Sequence, residues 1–229
     1  SVTDKAVSKW ERNLSCPDVN SIPKLAEILG TTVDELLNAT SKQEKSKFNM
    51  EALKLIYRGS AILFGAIGFI DDYKKLVLKN TKGLKPSSKM LGLLIISVLF
   101  TLYLLKGANL GTATIIPFTK QVIILPVLVY IPFAIFVMLA TTNAVNLTDG
   151  IDGLSTSVSA IITTCLTVIA IILDVKEIVV FGSIIVGACL GFLIFNLNTA
   201  QVFMGDTGSL LLGGVISAMA LYLQMPLIL

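Results

Sequence analysis

Six long apolar runs constrain the fold of this 229-residue chain more than any other feature of its sequence. Several of them approach the roughly 20 residues that an α-helix needs to cross the hydrocarbon core of a bilayer. Charged residues make up 14% of the chain, whereas soluble domains carry about a quarter. The sequence therefore predicts an all-α polytopic membrane protein with about six transmembrane helices. The runs cover approximately residues 52–70, 90–105, 121–142, 155–173, 178–195 and 209–228.

The polar N-terminal part is predicted to form short soluble helices. Apolar residues recur there at helical spacing, at Ile22, Leu25 and Ile28. Further along, Thr32 is followed three residues later by Glu35, which is the pattern of a capping box at the start of a helix. We assign residues 1–40 to a short helical segment, 41–50 to a polar linker and 51–229 to the membrane domain.

The N-terminal segment resembles the C-terminal part of a helix-turn-helix domain of the lambda-repressor-like class. The resemblance rests on the stretches VSKWE at 7–11 and DELL at 34–37, among others. The first helices of that fold would lie before Ser1, and a recognition helix needs its scaffold to enter a DNA groove. A small helical appendage without a DNA function is therefore the preferred interpretation, and DNA is not an expected partner. A membrane-tethered DNA-binding regulator is kept as an alternative.

The distribution of lysine predicts the orientation of the chain in the membrane. Six lysines lie in the loop 71–89, whereas the segments 106–120 and 174–177 hold two and one. The positive-inside rule therefore places the loop 71–89 in the cytoplasm. If the six spans alternate in direction, the loops 143–154 and 196–208 share that face.

The three loops on the predicted cytoplasmic face also carry carboxylates, which are Asp71, Asp72, Asp149, Asp152 and Asp206. Mg²⁺ prefers oxygen ligands and is often held by one or two carboxylates together with substrate phosphates. The chain has no histidine, so catalysis would rest on carboxylates, lysines, amides or hydroxyls. Each carboxylate alone could instead be a solvated helix end or a helix cap. Their coincidence on one face favours a site for a divalent cation and a phosphorylated substrate.

Four motifs in the same order resemble the bacterial phospho-N-acetylmuramoyl-pentapeptide transferases, which belong to the polyprenyl-phosphate N-acetylhexosamine-1-phosphate transferase superfamily. They are GFIDDYKK, KGLKPSSK, NAVNLTDGIDGLS and FNLNTAQVFMGDTGSLLLGG. The resemblance implies a Mg²⁺-dependent transfer of phospho-MurNAc-pentapeptide from UDP-MurNAc-pentapeptide to undecaprenyl phosphate. The products would be lipid I and UMP in peptidoglycan synthesis. The related N-acetylglucosamine-type transferases are kept as an alternative.

The resemblance also assigns roles to individual residues. One of the two adjacent aspartates, with Asp71 preferred, would activate the lipid phosphate, and Phe203 would stack on uracil. From the residues alone, Phe203 could equally be an ordinary apolar residue at the end of a span. The catalytic residues implied are Asp71, Asp72 and Asp206, the metal ligands are Asp206 and Asp72, and the substrate-binding residues are Lys75, Lys89, Asn143, Asn146, Asp149, Asp152, Asn196 and Phe203.

The chain also departs from the family pattern. The family has ten spans and a His-rich cytoplasmic loop, whereas this sequence shows six apolar runs and no histidine. Thr199 stands where the family usually has proline. We therefore expect a member that is incomplete at both ends, for which activity of the chain alone is an open question. The expected location is the bacterial inner membrane, as a multi-pass protein with its active site facing the cytoplasm, and the family makes a homodimer a further expectation.

Overall fold

The computed structural model describes residues 21–28, 33, 50–80, 82–108, 110–117, 119 and 121–229, with the backbone alone for 50–58. The chain divides into two compact units, residues 1–48 and 49–229. In the first unit the described helix is α1, Ile22–Ile28, at the predicted apolar spacing. The predicted cap at Thr32 and Glu35 and most of the segment resembling a helix-turn-helix domain lie outside the described residues.

The second unit is a helical bundle, and its described helices follow the six apolar runs. The bounds of the helices are α2 Met50–Leu76, α3 Pro86–Lys106, α4 Val127–Thr148, α5 Leu154–Ile172, α6 Lys176–Asn196 and α7 Gly205–Tyr222. A short 3₁₀ helix, Pro226–Ile228, follows α7. Four of these helices, α3 to α6, are long and apolar enough to cross a membrane by length and composition. The prediction of an all-α polytopic membrane protein is confirmed.

Two apolar runs differ from the helices that occupy them. The run 121–142 was predicted as a single span, but 122–124 form a strand and the helix runs from Val127 to Thr148. Pro126 stands at the N-cap position of α4, where a residue without an N–H group costs no helical hydrogen bond. As a result, Asn143 and Asn146 lie on the last turns of a helix and not in a loop. The last run also begins and ends differently, since α7 starts at Gly205 and stops at Tyr222.

Helix α7 is the centre of the bundle and packs against α2, α4 and α5. Almost every residue from Ser209 to Leu221 is buried. Small residues permit this close packing, because a Cβ on Gly213 would lie 2.5 Å from the Cα of Thr142 on α4. A Cβ on Gly214 would lie 2.6 Å from the ring of Phe64 on α2. Small residues at helix contacts are the usual means of close packing in membranes.

Hydroxyl groups inside the bundle are largely satisfied by their own helices. Ser97, Thr101, Thr142 and Thr167 each donate to a backbone carbonyl four residues earlier, at 2.7–2.8 Å. In a medium without water this local bond removes the cost of an unpaired hydroxyl. The outward faces of the same helices are apolar, with Leu128 87% exposed, as expected for contact with lipid.

A β-hairpin closes the end of the bundle where α3 stops and α4 begins. Strands β1, Ala113–Ile115, and β2, Val122–Ile124, pair antiparallel with Thr114 opposite Ile123. The N–H of Ile115 donates to the carbonyl of Gln224 at 2.7 Å, and the amide side chain of Gln224 donates to the carbonyl of Leu110 at 2.6 Å. These bonds join the hairpin to the residues that follow α7. The cleft lies at the opposite end of α3, α4 and α7.

Candidate functional site

Most of the predicted site residues lie at one cleft between helix ends. The end of α2, the start of α3, the end of α4 and the start of α7 meet there. The cavity has a volume of about 250 Å³. Its lining includes most of the residues proposed from sequence, and consists of Asp72, Lys75, Asn146, Asp149, Gly150, Ile151, Asp152, Asn196, Phe203, Gly205 and Asp206.

Asp206, in the first turn of α7, is the hub of this cleft. Its Oδ2 accepts from the Lys75 ammonium at 2.9 Å and from the Lys89 ammonium at 3.0 Å. Its Oδ1 accepts from Asn146 Nδ2 at 2.7 Å. The same Asn146 amide donates to Ser209 Oγ at 2.8 Å. Groups from three other helices, α2, α3 and α4, therefore hold one carboxylate in place.

The charges around this carboxylate shift its ionisation. Burial opposes the charged form of Asp206, but the hydrogen bonds donated by Asn146, Lys75 and Lys89 hold its pKa well below the usual value. The pKa of Lys75 is raised, mainly by its hydrogen bond to Asp71 against the opposing effect of burial, with Asp206 adding to it. The cleft thus holds a carboxylate and an ammonium that stay charged at neutral pH.

Asp72 caps the first turn of α7 from the neighbouring helix α2. Its Oδ2 accepts from the backbone N–H of Thr207 at 2.8 Å and from the Thr207 hydroxyl at 2.5 Å. Its Oδ1 accepts from the backbone N–H of Asp206 at 3.2 Å. The first N–H groups of a helix lack partners within that helix and favour a negative charge. Asp72 supplies both an acceptor for these N–H groups and a negative charge.

Asp71 and Asp72 project from α2 in directions about 100° apart, as adjacent residues of an α-helix do. Its Oδ1 accepts from the backbone N–H of Leu84 at 2.5 Å, and its Oδ2 pairs with Lys75 at 2.5 Å. Asp71 is only 3% exposed. Gly83, at φ +60°, passes so close that a Cβ there would lie 2.5 Å from Asp71 Oδ1. Asp71 therefore fastens the α2–α3 loop to the end of α2.

Asp149 and Phe203 leave their functional groups open to the cleft. Burial, followed by the charges of Asp206 and Asp72, raises the pKa of Asp149 to about 6. Phe203 is 75% exposed, although it lines the cavity. An exposed ring beside a charged cleft is suited to stack on a planar ligand.

The other three predicted residues have partners within the protein. Asn196 accepts from the Gly153 N–H and the Thr156 hydroxyl, both at 3.1 Å, and donates to the Val202 carbonyl at 2.9 Å. Asp152 accepts from the Ala200 N–H at 3.0 Å. Both tie the α4–α5 turn to the α6–α7 loop at the edge of the cleft.

Asn143 lies one helical turn before Asn146 and donates to the Leu139 carbonyl at 2.7 Å and to Met90 Sδ at 3.6 Å. It is not among the residues that line the cavity. Its prediction as a substrate-binding residue stays a prediction.

The acidic cluster fits a hard divalent cation. Asp71, Asp72 and Asp206 each offer a carboxylate oxygen, and these oxygens lie within 4.8 Å of one another. Oxygen donors of this kind are the ligands that Mg²⁺ and similar ions prefer. Asp206 and Asp72 both line the cavity, so the predicted pair of metal ligands is brought together.

Sequence reasoning missed several residues that build the site. Thr207 and Ser209 lie in the motif MGDTGS beside Asp206, and their hydroxyls bond to Asp72 and Asn146. Their position in a motif already singled out was a signal that could have found them. The Leu84 N–H that binds Asp71 could not have been found in this way, because a backbone group has no mark in the sequence.

Comparisons with known proteins match the part of the chain that builds this cleft. A family model described as glycosyl transferase family 4 covers residues 55–224. A phospho-N-acetylmuramoyl-pentapeptide-transferase of Clostridium novyi is 48% identical over 167 residues, which are 73% of this chain and 51% of the relative. The protein of the same name from Clostridium kluyveri is 47% identical over 178 residues, 78% of this chain and 55% of the relative. One from Acetivibrio thermocellus is 46% identical over 169 residues, 72% and 50%. The chain thus spans about half the length of the curated relatives it matches.

Proposed function

The chain belongs to glycosyl transferase family 4, and from this premise we propose that it serves the transfer of phospho-MurNAc-pentapeptide from UDP-MurNAc-pentapeptide to undecaprenyl phosphate. The products are lipid I and UMP. The observation that carries the proposal is the cleft at Asp206, where two ammonium groups and a carboxylate cluster meet beside an exposed aromatic ring. The phospho-N-acetylmuramoyl-pentapeptide-transferases named above are 46–48% identical to this chain over the aligned residues.

The charges of the cleft suit two phosphorylated substrates. Phosphoryl transfer depends mainly on positioning and on neutralising charge. Lys75 and Lys89 both bond to Asp206, and each can turn to a phosphate oxygen. In this proposal the two lysines neutralise the diphosphate of the donor and the phosphate of the lipid acceptor.

Mg²⁺ is the proposed metal, with Asp206 and Asp72 as the residues that would hold it. When bound, it would neutralise charge on the diphosphate and on the leaving UMP. The chain's own contribution is to keep the Asp206 carboxylate ionised and aimed at the cleft, through Asn146 and the two lysines.

Asp71 and Asp72 are proposed to position groups and not to abstract a proton. A phosphate monoester has a second pKa of about 6, so most of the acceptor phosphate is already deprotonated at neutral pH. Asp71 is buried and bonded to Leu84 and Lys75, and both oxygens of Asp72 bond to α7. This assignment differs from the role of Asp71 expected from the family resemblance.

The nucleotide of the donor and the lipid acceptor are proposed to reach the cleft from different sides. Phe203 is proposed to stack on the uracil ring, and Asp149 to lie near the nucleotide. We propose that the cleft faces the cytoplasm at a bacterial inner membrane, and the lysines between α2 and α3 support this orientation through the positive-inside rule. The lipid acceptor would then reach the cleft from the bilayer and the UDP-linked donor from the cytoplasm. The homodimer stays a prediction from family resemblance.

A transfer assay on the purified chain tests the proposal. The chain is placed in lipid nanodiscs with undecaprenyl phosphate, labelled UDP-MurNAc-pentapeptide and Mg²⁺, and labelled lipid is extracted. We expect product with the unchanged chain, none with Asp206→Asn and none with chelator. Asp174→Asn is the matched control, because Asp174 follows α5 away from the cleft and its φ of 53° suits asparagine.

A separate binding experiment shows whether the cleft itself is correct. Calorimetry with UMP and Mg²⁺ should give binding that is about tenfold weaker in Phe203→Ala and unchanged in Asp174→Asn. Transfer that persists in Asp206→Asn would refute the assignment of this site. A folded chain that neither binds UMP nor forms lipid product would refute the proposed function.

A further inference from the structure

Gly68 on α2 lies directly against the backbone at the start of α7. A Cβ at this position would overlap the carbonyl group of Asp206 and would lie 2.6 Å from the backbone nitrogen of Thr207. These obstacles are backbone atoms, which cannot rotate out of the way as the end of a side chain can. Gly68 lies in the middle of a helix, where glycine lowers helix propensity. The contact with α7 gives a packing reason for glycine at this position.

One helical turn beyond Gly68 on the same face of α2 is Asp72. Its two oxygens receive the N–H groups of Asp206 and Thr207 at 3.2 and 2.8 Å, and the Thr207 hydroxyl at 2.5 Å. These bonds require the α7 backbone to lie close to α2. Gly68, which has no side chain, and Asp72, which accepts the hydrogen bonds, thus contact the start of α7 from two successive turns of α2.

This contact holds the backbone of the residue whose side chain is the hub of the cleft. The Asp206 carbonyl lies against Gly68, its N–H lies on Asp72, and its carboxylate extends to Lys75, Lys89 and Asn146. A shift of the α7 backbone therefore moves the carboxylate relative to all of these groups at once.

We propose that Gly68 is a positioning residue whose missing side chain allows Asp72 to hold the first turn of α7 and so sets the place of the Asp206 carboxylate. Gly68 does not touch substrate or metal. The inference rests on the proposed role of Asp206 as a ligand for a divalent cation, and it goes beyond that role by naming what fixes the ligand.

The test compares two substitutions on the same helix. Gly68→Ala adds a methyl group that pushes α7 away by roughly 1 Å, given ordinary carbon contact distances. Gly59→Ala adds the same methyl group where nothing lies within 4 Å. The affinity for Mn²⁺ as the probe ion is measured on the full chain in nanodiscs by electron paramagnetic resonance. Loss of groups that orient a metal ligand typically weakens metal binding by about 10- to 100-fold.

We expect Gly68→Ala to weaken Mn²⁺ binding at least about tenfold and Gly59→Ala to leave it unchanged within about twofold, with both variants folded by thermal melting. Mn²⁺ affinity in folded Gly68→Ala equal to that of the unchanged chain would overturn the proposal. This measurement needs no turnover. If Gly68→Ala weakens Mn²⁺ binding but the unchanged chain shows no transfer, the proposed reaction alone is rejected. If the chain shows transfer but Gly68→Ala binds Mn²⁺ normally, this inference alone is rejected.

A second pair of variants decides the matter if Gly68→Ala does not fold. Thr207→Ala removes the hydroxyl that bonds to Asp72 Oδ2, while Thr207→Ser keeps a hydroxyl there. We expect weaker Mn²⁺ binding in the alanine variant and recovery in the serine variant. Recovery in the serine variant would show that the hydroxyl matters, whereas a general packing defect would not depend on it. Equal Mn²⁺ affinity in the two variants would contradict a positioning contact at Asp72.

Discussion

Replacing Lys75 with methionine should tighten the binding of a divalent cation to the nucleotide-free protein. The ammonium groups of Lys75 and Lys89 lie 2.9 and 3.0 Å from the same Oδ2 atom of Asp206. A cation that uses this oxygen must first displace the two positive charges. Methionine keeps most of the length and apolar contact of the lysine stem while removing the charge. The change therefore removes a competitor of the metal without leaving a large void.

The magnitude follows from the geometry and from exposure. At 2.9 Å and an effective dielectric constant of about 20, the bare Coulomb attraction of one pair is about 6 kcal/mol. The Lys75 side chain is 39% exposed, however, and measured values for exposed pairs are about 0.2–1 kcal/mol. We take the upper end of this range, about 1 kcal/mol, because Lys75 also bonds to the buried Asp71. This free energy corresponds to roughly a fivefold gain in cation affinity.

The assay is a Mn²⁺ titration by calorimetry on the full chain, without nucleotide and at low ionic strength. Lys74→Met is the matched control, since Lys74 is adjacent and makes no ion pair among the described residues. UMP binding in the presence of Mg²⁺ should weaken in Lys75→Met, because the ammonium is proposed to neutralise phosphate. An unchanged or weaker Mn²⁺ affinity in Lys75→Met, relative to Lys74→Met, would refute the idea that Lys75 competes with the metal.

Three further predictions concern the walls of the cleft and the bundle behind it. Burial and the neighbouring negative charges raise the pKa of Asp149 to about 6, above its unfolded value. The cost of its charge to the stability of the fold therefore grows as the pH rises from 3.8 and is complete above about 6. Asp149→Asn should raise the melting temperature at pH 7.5 but not at pH 4, and an equal gain at both would contradict this. Phe203→Ala should weaken UMP binding about tenfold, a loss typical of one stacking contact, and should leave the melting temperature unchanged. The control Val202→Ala should change neither the UMP affinity nor the melting temperature. Gly213→Ala should destabilise the protein by about 1–3 kcal/mol through overpacking against α4, whereas Gly191→Ala, in open space, should not; equal melting temperatures would contradict the packing argument.

The fold could be predicted well because the bilayer leaves few options. Apolar runs of this length can form only helices or closed barrels in a membrane, and no run has the alternating pattern of a barrel strand. The helix boundaries were harder to predict. The segment at Val122–Ile124 is as apolar as α4 itself, so composition alone could not separate a strand from the helix that follows it. The strand is formed by pairing with Ala113–Ile115, a tertiary contact that hydropathy does not contain.

The candidate site was predictable as a group but not residue by residue. Motifs and the alternation of spans placed most of its members on one face, and the structure brings them to one cleft. Their partners could not be predicted, since they depend on side-chain direction and on backbone groups. Asn196 illustrates this, because the family resemblance implied substrate binding, yet its side-chain amide bonds to Gly153, Thr156 and Val202.

The two adjacent aspartates show how one motif can serve two structural tasks. On a helix, neighbours point about 100° apart, so Asp71 faces the loop at Leu84 while Asp72 faces the start of α7. Each carboxylate fixes an element that carries another part of the site. Asp71 holds Lys75 directly, and Asp72 holds the backbone of Asp206. The end of α2 therefore positions the other charged groups of the cleft. Replacing Asp71 would displace the Lys75 ammonium, and replacing Asp72 would displace the Asp206 carboxylate. A loss of the proposed transfer reaction on mutating this pair is thus expected even though neither carboxylate needs to accept a proton.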